Sequence, residues 1–409
     1  MKILMFGWEF PPHNKGGLGT ACLGLTKALS EKDKEVILVI PKGGKSENSD
    51  HLNLIVTENL YIGNDKIKYV KIDSLMHAYI STNEYEDEYA KLFYNDSKNP
   101  KLDIYGKDLF KEVQRYGEKA KIIAQFEDFE VIHCHDWMTF KAGKAAKEVS
   151  GKPLVVHVHA TEFDRTGGHP NQAVYDIERE GMHVADKIIA VSNYTKDMIC
   201  KHYDINSEKV EVVHNGINTD NEQEMLIEKQ ENVVLFLGRM TLQKGPDYFI
   251  EAANKVLDLE PNTKFIMAGT GDMYPKMIEK AAELNIGHKI LFTGHLKGDE
   301  VNKAYQMAKL YVMPSVSEPF GLTALESIKN NTPVMISNQS GVSEVLTNAL
   351  KADFWDVDEM VNKMVSAIRY PALGETIVEQ GNHEIKGISW NKAADKCINV
   401  YDSLKKGDF

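Results

Sequence analysis

The sequence predicts an α/β protein made of two doubly wound parallel sheets that face each other across a central cleft, and three observations predict it. Short apolar runs recur along the chain, at 2–7, 36–40, 129–137, 154–159, 187–191 and 210–213, and again at 233–237, 264–268, 290–292, 310–313 and 333–336. Helix-length segments separate them, and most runs end in glycine or a polar residue. Strands alternating with helices, with ligand-binding residues gathered at the carboxyl ends, are the pattern of parallel α/β sheets.

The third observation is the polar, charged stretch 219–231, which interrupts the strand series and reads as a connector. It divides the chain into 1–217 and 218–388. Residues 389–409 follow as an amphipathic helix, with Ser389 as its cap and Trp390 as an apolar anchor.

Composition narrows the function. A chain of 409 residues, 43% apolar and 26% charged, is long enough for two or three cores. Its net charge of −12 disfavours non-specific binding to nucleic acid or anionic lipid. The best local exception, Lys107, Lys111, Arg115, Lys119 and Lys121, reads as one side of a solvated helix. No run approaches the ~18 uncharged apolar residues of a membrane span, and Met1 to Leu4 begins a strand, so a cytoplasmic protein is expected. Cys22, Cys134, Cys200 and Cys397 are widely scattered, which favours reduced thiols over disulfides or a metal cluster.

The first βαβ unit is a strand at 2–7, a loop, a helix carrying Leu18, Ala21, Cys22, Leu25, Ala28 and Leu29 at helical spacing, and a strand at 36–40. Its loop brings Gly16 and Gly17 to the helix start, where backbone can approach an anion. The spacing is neither a dinucleotide fingerprint nor a P-loop, and a tight turn without a ligand is the competing reading. The stretch 79–105 mixes acids with Tyr79, Tyr85, Tyr89, Phe93, Tyr94 and Tyr105, and reads as an exposed insertion, with an acceptor-side lid as the alternative.

Two later strands end in His133-Cys134-His135-Asp136-Trp137 and His157-Val158-His159. Their ends are where ligands gather, which singles out His135, Asp136 and His159. Paired His-x-His segments invite a metal, since alternate strand residues share a face. Without supplementary carboxylate or thiol ligands, buried hydrogen-bonded histidines are the preferred reading of His133 and His157.

In the second series, Arg239 and Lys244 follow a strand and lie between Gly238 and Gly245. Two cations converging on a diphosphate could neutralise a leaving nucleotide without a metal. Past the strand at 310–313, Glu318 stands just ahead of a helix and Glu326 just over one turn inside it, with Gly321 at its start. Unpaired amides there would suit a phosphate or sugar oxygen. Asp356-Val357-Asp358 reads as a helix cap rather than an acidic metal triplet.

With these residues in view the chain resembles the retaining GT-B glycosyltransferases of families 4 and 5, the glycogen/starch synthase-like branch. The resemblance spans nearly the whole chain and rests on the Glu9 to Gly19 loop, His135-Asp136-Trp137, His159, Asn215-Gly216, Gly238-Arg239 to Lys244-Gly245, and Glu318 to Glu326. It implies two Rossmann-like domains, with the terminal helix crossing back to the first. It further implies that Arg239 and Lys244 hold the donor diphosphate and that Glu326 takes the ribose hydroxyls. Glu318, aided by backbone amides of Phe320, Gly321, Leu322 and Thr323, would serve the transferred sugar. His159 would contact the sugar 6-hydroxyl, Asp136 would lie on the acceptor side, and Asn215 would orient the sugar. Gly16 and Gly17 would approach the phosphates, and backbone near Gly269 and from Gly294 to Leu296 would read the base. Three positions depart from the family pattern: Lys15 directly precedes Gly16, where the lysine usually stands one residue earlier, Ser340 replaces the first of a late glycine pair, and Asn331 stands where glycine is common. The presence of Glu326 leans toward family 4.

The implied activity is metal- and cofactor-independent transfer of a hexosyl unit, glucose from UDP- or ADP-glucose, to the non-reducing end of an α-1,4-glucan. A lipid-linked or small-molecule acceptor is the second reading, and an inactive glucan-binding or regulatory protein the third. The donor base and the oligomeric state are left open by the sequence.

Overall fold

The computed structural model describes residues 1–11, 16–41, 50–57, 107–218 and 232–405. Lys15, the 79–105 stretch and the connector at 219–231 lie outside them. The first sheet has seven parallel strands, β1 (Lys2–Phe6), β2 (Glu35–Ile40), β3 (Asn53–Val56), β4 (Val131–His135), β5 (Leu154–Val158), β6 (Lys187–Ala190) and β7 (Val210–Val212). Their spatial order is β3-β2-β1-β4-β5-β6-β7. Helices α1 (Gly17–Ser30), α2 (Lys107–Phe126), α3 (Trp137–Ser150), α4 (Glu162–Thr166), α5 (Gln172–Val184) and α6 (Asn193–Tyr203) accompany it.

The second sheet repeats the plan with six parallel strands in the order β10-β9-β8-β11-β12-β13. They are β8 (Val233–Leu237), β9 (Lys264–Ala268), β10 (Ile290–Gly294), β11 (Leu310–Met313), β12 (Val334–Ser337) and β13 (Leu350–Ala352). Around them lie α7 (Pro246–Leu259), α8 (Tyr274–Glu283), α9 (Asp299–Met307), α10 (Leu322–Lys329), α11 (Val357–Arg369) and α12 (Pro371–Ile385), and α13 (Trp390–Lys405) closes the described chain. The central strands are buried on both faces because helices cover both, as parallel sheets require, and they are apolar apart from the face of β4 and β5 that carries His133, His135 and His157.

Chain order reverses between β1 and β4 in one sheet and between β8 and β11 in the other. At such a switch point the loops leave in opposite directions and a crevice opens at the strands' carboxyl ends. β1 leads into Glu9 and the Gly16-Gly17 loop, β4 into Asp136, β8 into Arg239, and β11 into Ser315 to Gly321.

Two strands are absent from the sequence reading. β3 is a four-residue edge strand with only Leu54 buried, its short run Leu54-Ile55-Val56 lying in a stretch that otherwise reads as irregular, and β13 has three residues and no apolar run. The basic stripe of α2 also needs correction. Lys119 is buried and donates to the Thr57 carbonyl at 2.9 Å, while Arg115 and Lys121 pair with Glu112 and Glu118 on their own helix. The four cysteines are free thiols, three of them buried. Asp356 caps α11 by accepting from the Glu359 amide at 3.0 Å.

Helix α13 leaves the second sheet and buries Trp390, Ala394, Cys397 and Tyr401 in the first core. Trp390 lies over Gly24 of α1, where an added Cβ would stand 2.2 Å from the indole. At Gly216 a Cβ would stand 2.2 Å from the Trp390 nitrogen, and the Ile217 amide donates to the Ile388 carbonyl at 3.3 Å. The chain thus passes through the junction twice, side by side.

Candidate active site

On the second domain the site is built from four strand ends, those of β8, β9, β10 and β11. Lys244 follows β8 and its Nζ lies 2.5 Å from Glu318 Oε2, which also accepts from Ser315 Oγ at 3.1 Å. The backbone around Glu318 is pinned on both sides: its amide donates to the Gln339 carbonyl at 2.9 Å, and its carbonyl accepts from Gly341 at 2.9 Å. Arg239 Nη2 reaches Gln243 Oε1 at 3.5 Å. Gly321, at φ 108°, turns the chain into α10 without a side-chain cap, leaving that helix start able to receive an anion. Phe320 is buried, Leu322 packs against both domains' cores, and Thr323 Oγ1 accepts from Tyr311 Oη at 2.9 Å.

Glu326, inside α10, accepts from Tyr305 Oη at 3.2 Å, and burial raises its pKa. Gly238, Gly269 and Gly294 lie side by side at the ends of β8, β9 and β10. The Gly238 amide donates to Ala268 at 3.0 Å and the Gly269 amide to Gly294 at 2.7 Å. A Cβ on Gly269, whose φ is 128°, would fall 1.9 Å from the Gly238 carbonyl oxygen, so backbone alone forms this floor. Leu296 is half-buried beside it.

On the first domain, Gly16 and Gly17 are exposed at the start of α1, again without a side-chain cap. Beneath them Glu9 accepts from the Gly19 amide at 3.2 Å, and a Cβ on Gly16 would meet its carboxylate at 2.9 Å. Burial raises the Glu9 pKa to about 7, against the lowering influence of the Gly19 amide and of Arg239 from the facing domain. Asp136, at φ 57°, is buried, and its Oδ1 accepts from the His159 amide at 2.7 Å and the Ala160 amide at 3.4 Å. Its Oδ2 lies 3.6 Å from Arg165, and burial lifts its pKa to about 6. Both oxygens are therefore occupied within the protein, and this carboxylate positions the His159 backbone.

His159 is half-buried, and its Nε2 lies 2.9 Å from His135 Nδ1. Burial, and secondarily Arg165, lower its pKa to about 3, so the ring is neutral. Behind it, His157 Nδ1 lies 3.3 Å from His133 Nε2, and His133 Nδ1 lies 2.6 Å from Tyr401 Oη of α13. The ring nitrogens of His133, His135 and His157 come within 4.8 Å of one another, so they could in principle surround a metal ion. All three would be neutral ligands, leaving a dication uncompensated in the core. Asn215 is buried in the loop after β7.

Comparison with known proteins decides the family. Residues 218–382 match the model described as glycosyl transferases group 1, and residues 92–221 match that of glycosyltransferase family 4. The chain is a GT-B glycosyltransferase of the family 4/5 group. An uncharacterized glycosyltransferase of Methanocaldococcus jannaschii is 29% identical over 98% of each chain. A glycogen synthase of Mycobacterium tuberculosis is 24% identical over 100% of this chain and 96% of its own. Among solved structures, sucrose-phosphate synthase from Thermosynechococcus elongatus superposes with a TM-score of 0.75 at 16% identity, covering 99% of each chain. The Anabaena protein HepE in complex with UDP and glucose gives 0.69 at 16% identity, over 98% of this chain and 100% of its own.

The glycosyltransferase also contains groups that its sequence did not single out. Arg165 is buried among Glu178 at 2.8 Å, Glu162 at 3.5 Å and Asp136, and donates to the Ala160 carbonyl at 2.8 Å. This network underlies the His159 loop. Across the domain junction, Ser192 Oγ donates to the Pro319 carbonyl at 2.6 Å and Ser317 Oγ to Asp164 Oδ1 at 2.5 Å. Glu344 accepts from the Asn193 and Tyr194 amides at 2.9 and 2.8 Å, and lies 2.9 Å from His214 Nε2. Among the described residues, no helix is long and apolar enough to cross a membrane.

Proposed function

We propose that the enzyme moves a glucosyl unit from a nucleotide diphosphate sugar to the non-reducing end of an α-glucan, with retention at the anomeric carbon. The observation that carries this reading is the pairing of two anion-receiving groups across the junction. Arg239, Lys244 and the α10 start lie on one side, the uncapped α1 start with Gly16 and Gly17 on the other, and Arg239 is near enough to bear on Glu9.

In this reading the diphosphate lies between the two helix starts, and Arg239 and Lys244 offset the charge that grows on it as the glycosidic bond breaks. Glu326 receives the ribose, and His159 and the backbone of 320–323 hold the sugar. Glu318 is held by Lys244 and Ser315, so it supports the developing positive charge rather than attacking as a nucleophile. The acceptor then enters on the face the diphosphate leaves, its proton passing to the leaving phosphate. Cleft closure and positioned charge supply the rate, with no metal or cofactor.

Support for the donor comes from HepE, whose structure contains UDP and glucose. Support for a glucan acceptor comes from the glycogen synthase, which aligns end to end. A D-inositol 3-phosphate glycosyltransferase of Rhodococcus jostii aligns over only 67% of this chain and favours the second reading, a small acceptor. Nucleotide release from UDP-, ADP- and GDP-sugars is to be measured in chelator against glycogen, maltooligosaccharides and inositol phosphate, with the product's anomeric configuration read by NMR. Glucan-dependent release with an α-linked product is expected. Release only with small acceptors, an inverted product, or a requirement for added metal each defeats the corresponding part.

A further inference from the structure

Four histidines from two adjacent strands form one stack, and its hydrogen bonds have a direction. His133 and His135 of β4 and His157 of β5 share one face of the sheet with His159, just beyond β5. Ring centroids lie 4.5 Å apart for His133 and His135, and 4.2 Å for His157 and His159. Burial lowers the pKa of every member, so each ring is neutral, with one N–H and one lone pair.

Two ring nitrogens in this stack, His135 Nε2 and His157 Nε2, are buried without a partner. An unpaired buried N–H is the rarer and costlier orphan, and an unpaired lone pair the cheaper one. Both nitrogens are therefore the lone-pair nitrogens, which puts the proton of each ring on Nδ1. One chain then runs without conflict from His157 Nδ1–H to His133 Nε2, from His133 Nδ1–H to Tyr401 Oη, and from the Tyr401 hydroxyl to Cys397. The other begins at His135 Nδ1–H, which donates to His159 Nε2.

We infer that His135 is a positioning residue that fixes His159 in its Nδ1–H tautomer, so that His159 offers the substrate a hydrogen-bond donor and no lone pair. His159 Nε2 is occupied by His135, and Nδ1 is the nitrogen left for the cleft. A ring in this state can hold a substrate oxygen through its lone pair. It cannot take a proton from an acceptor hydroxyl, so general-base work falls outside its role. Which oxygen it holds rests on the proposed reaction, but the tautomer does not.

The test is nitrogen NMR of protein carrying 15N-labelled histidine, in which protonated and lone-pair ring nitrogens are widely separated. His159 is expected to show a protonated Nδ1 and a lone-pair Nε2, and His135 the same. In His135→Asn the amide N–H stands where Nδ1–H stood, so the His159 pattern is kept and kcat/KM stays within about threefold. In His135→Leu no donor remains, so the His159 tautomers mix and kcat/KM falls about tenfold, with unfolding curves confirming that both variants fold. A protonated Nε2 on His159 in the unaltered protein overturns the inference, as does equal loss in the Asn and Leu variants of a folded enzyme. Stoichiometric zinc, nickel or copper retained through His133, His135 and His157 overturns it too, because a metal would engage the lone pairs. If no sugar is transferred at all, the proposed reaction fails while the tautomer is still read.

Discussion

Lys244 Nζ and Glu318 Oε2 stand 2.5 Å apart, although the residues follow different strands and lie 74 positions apart in the chain. Glu318 is nearly fully buried, so its charge depends on this partner and on Ser315. The pair therefore holds a cation in place beside the α10 start before any donor arrives, which is the condition for charge stabilisation without reorganisation.

Lys244→Ala is expected to lower kcat by about 100- to 1000-fold, the usual cost of removing one preorganised stabilising donor. It also leaves the Glu318 carboxylate short of a partner, at a cost of about 1–3 kcal/mol in stability. Turnover and urea unfolding measured on one preparation separate these effects. Near-normal turnover in a folded variant would remove Lys244 from the mechanism.

Glu178 gives a pH prediction. Burial raises its pKa from 4.5 to about 7, outweighing Arg165 and the bonds from Tyr203 and the Glu162 amide. Between those values the folded protein binds the proton more tightly than the unfolded chain, so this carboxyl's contribution to stability falls as pH rises from about 4.5 to about 7. Relative to the native protein, Glu178→Gln should gain on the order of 1–3 kcal/mol across that interval and be flat on either side. Unfolding free energies of the two proteins at pH 4.5, 6 and 7.5 check it, and a pH-independent difference would contradict it.

The parts of this site that were legible in the sequence are those fixed by local chain order. Asp136 and Arg239 follow an apolar run almost at once and Glu318 within five residues, and strand ends at a switch point face the crevice whatever the loops do. Arg165, Glu178 and Glu344 were not legible in that way, and Glu9, two residues past the first run, was read only as part of its loop. Glu344 acts on Asn193, 151 positions away, and nothing in its own neighbourhood records that distance. Asp136 was legible as a site residue but not in its orientation, because only the fold shows both its oxygens engaged by His159, Ala160 and Arg165. Likewise Trp390 reads as an anchor from its helix, but the need for a glycine beneath it appears only once α1 and α13 are packed together.

That packing gives a coupled pair of variants. Trp390→Ala removes a buried indole from the first core and should cost about 3–5 kcal/mol. Gly24→Ala forces a methyl toward the same indole and should cost about 1–3 kcal/mol. In a Trp390→Leu background the space opens, and the cost of Gly24→Ala should largely vanish. Additive costs in the double-mutant cycle would mean that Gly24 is needed for another reason.

Glu344 ties the domains together, and its loss should be visible as shape. It accepts the first amides of α6, where a carboxylate is favoured by the helix dipole, and it lies against His214. Burial would raise its pKa, yet the bonds from His214, Asn193 and Tyr194 hold it down to about 2. Its contribution is therefore present above about 4.5 and is lost as pH falls toward 2. Glu344→Ala leaves two α6 amides and His214 without this partner, while the bonds of Ser192 to Pro319 and of Ser317 to Asp164 persist. The junction should loosen without coming apart. Small-angle scattering at neutral pH should show a larger radius of gyration for the variant in the absence of donor, with the difference narrowing when UDP-glucose is added. Identical scattering of the two free proteins would reduce Glu344 to a helix cap.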